Sequence, residues 1–147
     1  MDKPENHKFS ELVVGMERKF YVKINEELVL KFAKISGDYN PLHINDEFAK
    51  KTKFKKRVCH GMLLSSFFSK LVGMYIPGLH SLYLSQTLYF ENPCFIDDQI
   101  IISGKIKNKS ESTKIITLDV SIHNQLNQCL VSGEAKTMIL EHVNLKK

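Results

Sequence analysis

An α+β fold, with one antiparallel sheet curled around one buried helix, is predicted by three features of the chain. The stretch from Cys59 to Ile76 is apolar on nearly every side, and a helix of that kind must be enclosed. Almost everything after Pro77-Gly78 is strand-like, in four runs joined by short turns. One such helix followed by one such series of strands has few compact solutions, and a sheet wrapped on the helix buries the apolar faces of both.

Each element has its own signal. Residues 1–8 are polar and are expected to be frayed and disordered. Phe20-Tyr21-Val22-Lys23-Ile24 reads as a first or edge strand. Asn25 caps a helix whose first turn holds Glu26 and Glu27, with Leu28, Phe32 and Ile35 on one face until Gly37 stops it. Asn45 or Asp46 can cap a second short helix through Phe48, Ala49 and Lys50. The buried helix carries Met62, Leu63, Leu64, Phe67, Phe68, Leu71, Val72 and Met74. In the first long strand Leu82, Leu84, Gln86, Leu88 and Phe90 alternate with Tyr83, Ser85, Thr87 and Tyr89. Ile100, Ile102 and Ile106 mark the next, with Gly104 as a bulge. The cleanest alternation is Ile116, Leu118, Val120 and Ile122 against Thr117, Asp119, Ser121 and His123, one buried face and one wet. A turn at 124–127 leads to a last strand through Val131, Gly133, Ala135, Thr137 and Ile139. Such a sheet leaves an open edge, so a homodimer is expected.

Composition narrows the class. The 147 residues form one domain, 1–147, large enough to bury a core without disulfides or metals. Lys and Arg exceed Asp and Glu by 21 to 16, a formal charge of +5, compatible with anionic partners such as phosphate-bearing small molecules, an acidic protein or nucleic acid. Much of the surplus is one cluster, Lys50, Lys51, Lys53, Lys55, Lys56 and Arg57, which as a run reads first as solvated surface. It lacks interleaved aromatics and no RNA-binding motif is present, so nucleic acid is not expected as a partner. Cys59, Cys94 and Cys129 are odd in number with no CxxC pair, which points to reduced thiols and a cytoplasmic location. The first residues lack the apolar core of a secretory signal. The most apolar stretch is too short to span a bilayer and is broken by Ser65, Ser66, Ser69 and Lys70, so no membrane association is expected. His7, His80, His123 and His142 show no ligand spacing, and no metal is expected. His60 beside Cys59 does not read as a nucleophile with its base, because adjacent helical residues point apart.

The chemistry concentrates in Ser36-Gly37-Asp38-Tyr39-Asn40-Pro41-Leu42-His43. Gly37 permits backbone angles closed to other residues, Pro41 pushes Asn40 out of the helical region, and Asp38 and Asn40 favour turns. The segment is a shaped loop carrying a carboxylate and an imidazole, the pair that general acid-base chemistry needs. On spacing alone an Asx-turn with a capping His is the commoner outcome. Gly61, at the start of the buried helix, offers unpaired N–H groups and the positive dipole end to a developing negative charge, or simply a tight helix entry.

The flanks extend the motif. Phe32, Ile35, Ser36, Gly37, Asp38, Asn40, Pro41, Leu42, His43 and Ala49 resemble the hydratase signature of the MaoC-like hydratase/dehydratase family, whose single-domain members include R-specific enoyl-CoA hydratases. His60-Gly61-Met62-Leu63-Leu64 with Ser69 resembles the start of its central helix, and Tyr83-Leu84-Ser85-Gln86 with Phe90 and Pro93 its first long strand. The similarity runs from about Phe20 to Leu140. It implies the hot-dog fold, acyl pockets formed where subunits meet, and catalysis by Asp38 and His43 on one shared water. Gly61 would then hold the thioester carbonyl through its backbone N–H, Asn40 would keep the loop's shape, and Ser69 would stand near the dyad, although a serine on an apolar helix also bonds back to a backbone carbonyl. The implied substrate is an acyl-CoA thioester, with CoA part of the substrate and no separate cofactor. The implied reaction interconverts trans-2-enoyl-CoA and (R)-3-hydroxyacyl-CoA. Two alternatives stand beside it: a 3-hydroxyacyl-[acyl carrier protein] dehydratase of fatty-acid synthesis, and a non-catalytic acyl-thioester binding module, which would need neither Asp38 nor His43. A thioesterase is disfavoured, since no second carboxylate is placed for hydrolysis.

Overall fold

The computed structural model describes residues 3–140 of the protein. In chain order the elements are β1 (Glu17–Lys23), α1 (Glu26–Ser36), α2 (Pro41–Ile44), α3 (Asp46–Lys51), α4 (Gly61–Lys70), β2 (Ser81–Gln86), β3 (Tyr89–Phe90), β4 (Gln99–Ser110), β5 (Ile115–His123) and β6 (Cys129–Ile139). The strands form one six-stranded sheet in the order β1-β4-β5-β6-β2, with β3 also paired to β6. All pairings are antiparallel. The hot-dog arrangement follows: α4 lies on one face of the sheet, and strict alternation along β5 delivers Ile116, Leu118, Val120 and Ile122 to that face, all buried. Leu63, Leu64, Phe68, Leu71 and Val72 join the same core cluster from the helical side.

Several local expectations are corrected by packing. The central helix does not run evenly to Ile76, because α4 ends at Lys70 and continues as a π-turn over Leu71–Tyr75. Nor is it enclosed all round. Met62, Ser66, Ser69 and Lys70 remain exposed on one stripe. Gly104 is not a bulge; the register shift lies between Ile106 and Asn108. Gly104 instead gives room to the helix, since a Cβ there would stand 2.6 Å from Leu71 Cδ2. On α1 the buried pair is Val29 and Ala33, with Leu28 and Phe32 flanking, while Ile35 is 85% exposed. In β2 it is Tyr83 that packs against the core, leaving Leu82 and Leu84 pointing outward.

The polar start of the chain also departs from the expected fraying, as far as it is described. The Glu5 N–H donates to Met74 O at 2.8 Å, and its carbonyl accepts from Leu79 N–H at 2.9 Å. Gly78, at φ +88°, admits this close passage, because a Cβ there would overlap the Glu5 carbonyl. Met1 and Asp2 lie outside the described residues.

Candidate active site

Two helix ends and one bridge build the site. α1 stops because Gly37 takes the left-handed conformation, φ +76°, and its N–H donates to Ala33 O. The chain then folds on itself through short local bonds. Ser36 Oγ accepts from Asp38 N–H, Asp38 Oδ1 from Asn40 N–H, and Asn40 Oδ1 from Leu42 N–H. Asn40 thereby caps α2, whose first residue is Pro41. The opposite wall is the segment preceding α4, held to the connection between β3 and β4 by the Val58–Phe95 bridge and by Cys59 N–H donating to Cys94 O at 2.8 Å.

Asp38 and His43 face one another across this corner. Asp38 Oδ2 lies 3.9 Å from His43 Nε2, with the carboxylate half exposed and the imidazole largely covered. That separation is too long for a direct hydrogen bond, and an oxygen about 2.8 Å from each atom fits between them. The tautomer of His43 is set from the other side. Nδ1 sits 2.7 Å from Val58 O, and a carbonyl only accepts, so Nδ1 carries the proton and Nε2 presents a lone pair toward Asp38.

His43 also lines a cavity of about 480 Å³, with Phe54, Gly61, Met62, Leu64 and Phe90 among its walls and Lys53 at its border. Gly61 is the first residue of α4, and no side chain caps that terminus, so the leading N–H groups are left for another acceptor. A Cβ at Gly61 would stand 2.7 Å from the Phe90 ring. Ser69 is exposed and does not line this cavity. It lies eight residues along α4 from Gly61, about 12 Å away along the axis. Thus Asp38, Asn40, His43 and Gly61 gather in one corner of a single chain, and Ser69 does not join them.

A second imidazole completes the corner, and local spacing assigns it no role. His60 is 2% exposed. Its Nε2 lies 3.0 Å from the Asp38 main-chain carbonyl, and its ring lies against that of His43, centroids 3.9 Å apart and tilted by 30°. Burial pulls this imidazole below its ordinary pKa and neighbouring His43 adds to the shift, against the opposing pull of the Asp38 carbonyl and carboxylate. Nearness to Asp38 and His43 would bring three ligand atoms within 4.8 Å of one another. Of these atoms His60 Nε2 already stands at hydrogen-bond distance from the Asp38 main-chain carbonyl. His142 lies outside the described residues.

Residues 10–127 match the family described as MaoC like domain. The chain belongs to the MaoC-like family. Among relatives of this MaoC-like protein, the (R)-specific enoyl-CoA hydratase of Aeromonas caviae is 38% identical over 124 residues, spanning 84% of this chain and 92% of that one. The mitochondrial 3-hydroxyacyl-[acyl-carrier-protein] dehydratase of Arabidopsis thaliana is 36% identical over 127 residues, 82% of this chain and 73% of its own. Among solved structures, the unliganded R-hydratase of Pseudomonas aeruginosa superposes with a TM-score of 0.88 at 32% identity, covering 97% of this chain and 93% of that one.

Proposed function

We propose that this MaoC-like protein is an R-specific hydro-lyase that interconverts trans-2-enoyl-CoA and (R)-3-hydroxyacyl-CoA. The observation that carries the reading is the water-sized gap between Asp38 Oδ2 and His43 Nε2, 3.9 Å, beside a cavity that His43 shares with the head of α4. The enoyl thioester lies in that cavity with its carbonyl oxygen at the Gly61 N–H. One water sits between the dyad. His43 Nε2 takes a proton from it, the oxygen's electron pair forms the C–O bond at the β-carbon, and the displaced π electrons move onto the thioester oxygen. The helix dipole and the N–H stabilise that enolate. A proton from the dyad then closes the α-carbon on the same face, and the dyad as a unit returns to its starting charge. Dehydration is the reverse. No cofactor is needed beyond the CoA that belongs to the substrate.

A homodimer suits this reading. Met62, Leu82, Leu84 and Phe90 are each roughly half exposed on the cavity wall, the free edge of β2 and neighbouring β3, and a second copy would cover them. The same copy would supply the surroundings that Ser69 lacks in one chain. No helix among the described residues is long and apolar enough to cross a membrane; with three free cysteines, we place the protein in the cytoplasm. One observation favours a carrier-protein substrate as a second reading: Lys53, Lys55 and Lys56 stand exposed close to the cavity, a surface that an acidic carrier could meet.

The test is incubation of purified protein with crotonyl-CoA, following loss of the enoyl-thioester absorbance and coupling the product to stereospecific dehydrogenases. Rapid formation of the R product is expected. An S product or a racemate refutes the reading, and inertness toward CoA esters with activity on the enoyl carrier protein selects the second one.

A further inference from the structure

His60 stands where an N-cap residue belongs, yet its side chain makes no capping bond. A serine or aspartate would serve the helix better. Its Nδ1 is buried without a hydrogen-bond partner, which costs stability and gives the helix nothing in return. The ring is aimed away from the helix, at Asp38 and His43.

The bonds on the loop show what that aim supplies. The other hydrogen bonds that hold Asp38 come from within its own turn, from Ser36 and Asn40. The contact that reaches it from outside the loop is the His60 Nε2–H donated to its main-chain carbonyl, 3.0 Å. His43 is tied to the same wall two residues earlier, through Nδ1–H to Val58 O and through Val58 N–H to Leu42 O. Each member of the dyad is thus fastened to segment 58–60, His43 by a main-chain carbonyl and Asp38 by a side chain. We infer that His60 is a positioning residue that acts through Asp38: its Nε2–H fixes the half-exposed carboxylate opposite His43 Nε2, and its ring face backs the His43 ring.

The charge state is consistent with this task. A carbonyl partner fixes the proton on Nε2, and an unpartnered buried Nδ1 leaves a second proton without an acceptor. A neutral ring against His43 does not oppose the imidazolium that forms when His43 takes the water proton. The titratable groups around His43 are Asp38 on the loop, His60 at the head of α4, and Lys53, Cys59 and Glu91, which line the same cavity.

The kinetic arm of the test rests on the hydratase reading. His60→Phe keeps a ring and removes the donor, and is expected to lower kcat by about tenfold to a hundredfold with KM within about twofold. His60→Gln offers an amide N–H and is expected to stay within about fivefold of wild type. In an Asp38→Asn background His60→Phe should cost less than about twofold more, because a residue acting through Asp38 has nothing left to position. A purely structural residue would cost the same factor in both backgrounds. An equal loss in both, a loss carried by KM, or a Gln variant as poor as Phe overturns the inference. A second arm needs no turnover, so an inert wild type would count against the hydratase reading alone. Ring-nitrogen NMR should find His60 as the Nε2–H tautomer. An Nδ1–H tautomer overturns it.

Discussion

At the scale of single residues the site is a set of proton positions. Val58 O and Asp38 O each accept from an imidazole, and these two bonds assign both tautomers. The buried neutral His60 has a consequence for stability. Its pKa in the fold lies below the ordinary 6.5, so the unfolded chain takes up a proton at a pH where the folded one does not. Stability therefore falls as pH drops below about 6.5, across the window between the two pKa values, and this contribution levels off beneath the folded one. Urea titrations at a series of pH values should show wild type losing stability more steeply through that window than His60→Gln, by at most about 1.4 kcal/mol per pH unit. Parallel slopes would remove His60 as the cause. Asp38 and His43 were legible in the sequence because Gly37, Asn40 and Pro41 announce a shaped loop between them. The role of His60 was not. Its bond to Asp38 spans 22 positions and is made by tertiary closure, which no local spacing reveals.

At the scale of elements, two glycines let α4 sit where it does. Gly61→Ala places a Cβ 2.7 Å from the Phe90 ring, and the ring can swing only by changing the cavity wall it forms. We expect kcat/KM to fall by about tenfold or more with the melting temperature little changed, and partial recovery when Phe90→Ala is added. Full activity in Gly61→Ala alone would mean that the head of α4 does not touch the substrate. Gly104→Ala drives a Cβ to 2.6 Å from Leu71 Cδ2 and should destabilise by about 1–3 kcal/mol in urea unfolding, as overpacking does; an unchanged midpoint would show the π-turn to be compliant. The long strands were legible because burial alternates along the whole of β5, along β4 as far as Ile106 and along the second half of β6. The phase of β2 was not, because both of its faces carry large apolar side chains, Tyr83 inward and Leu82 and Leu84 outward. Gly104 was misread for a related reason. A strand glycine signals a bulge or a close approach, and only the packed helix decides between them.

At the scale of the whole molecule, the apolar outward side of β2 and the open stripe of α4 explain why a helix that reads as fully buried is half exposed in one chain. In the proposed dimer a second copy would cover both. Leu84→Lys, outside the cavity lining, should turn a dimer into a monomer by light scattering and lower activity with it. A wild type that is monomeric at micromolar concentration, or a dimer indifferent to this charge, would contradict the assembly. Fold and overall chemistry were thus readable from one buried helix, four strands and an eight-residue loop, whereas the exposed apolar positions of β2 and α4 were not, since a sequence does not say which leucines the fold leaves uncovered.

The dyad itself is tested most directly by comparing initial rates of crotonyl-CoA hydration for wild type, Asp38→Asn and His43→Ala, with folding of each checked by circular dichroism. Each variant is expected to turn over at least about a hundredfold more slowly than wild type while staying folded. A near-normal rate in either folded variant would contradict the assignment of Asp38 and His43 as the acid-base pair.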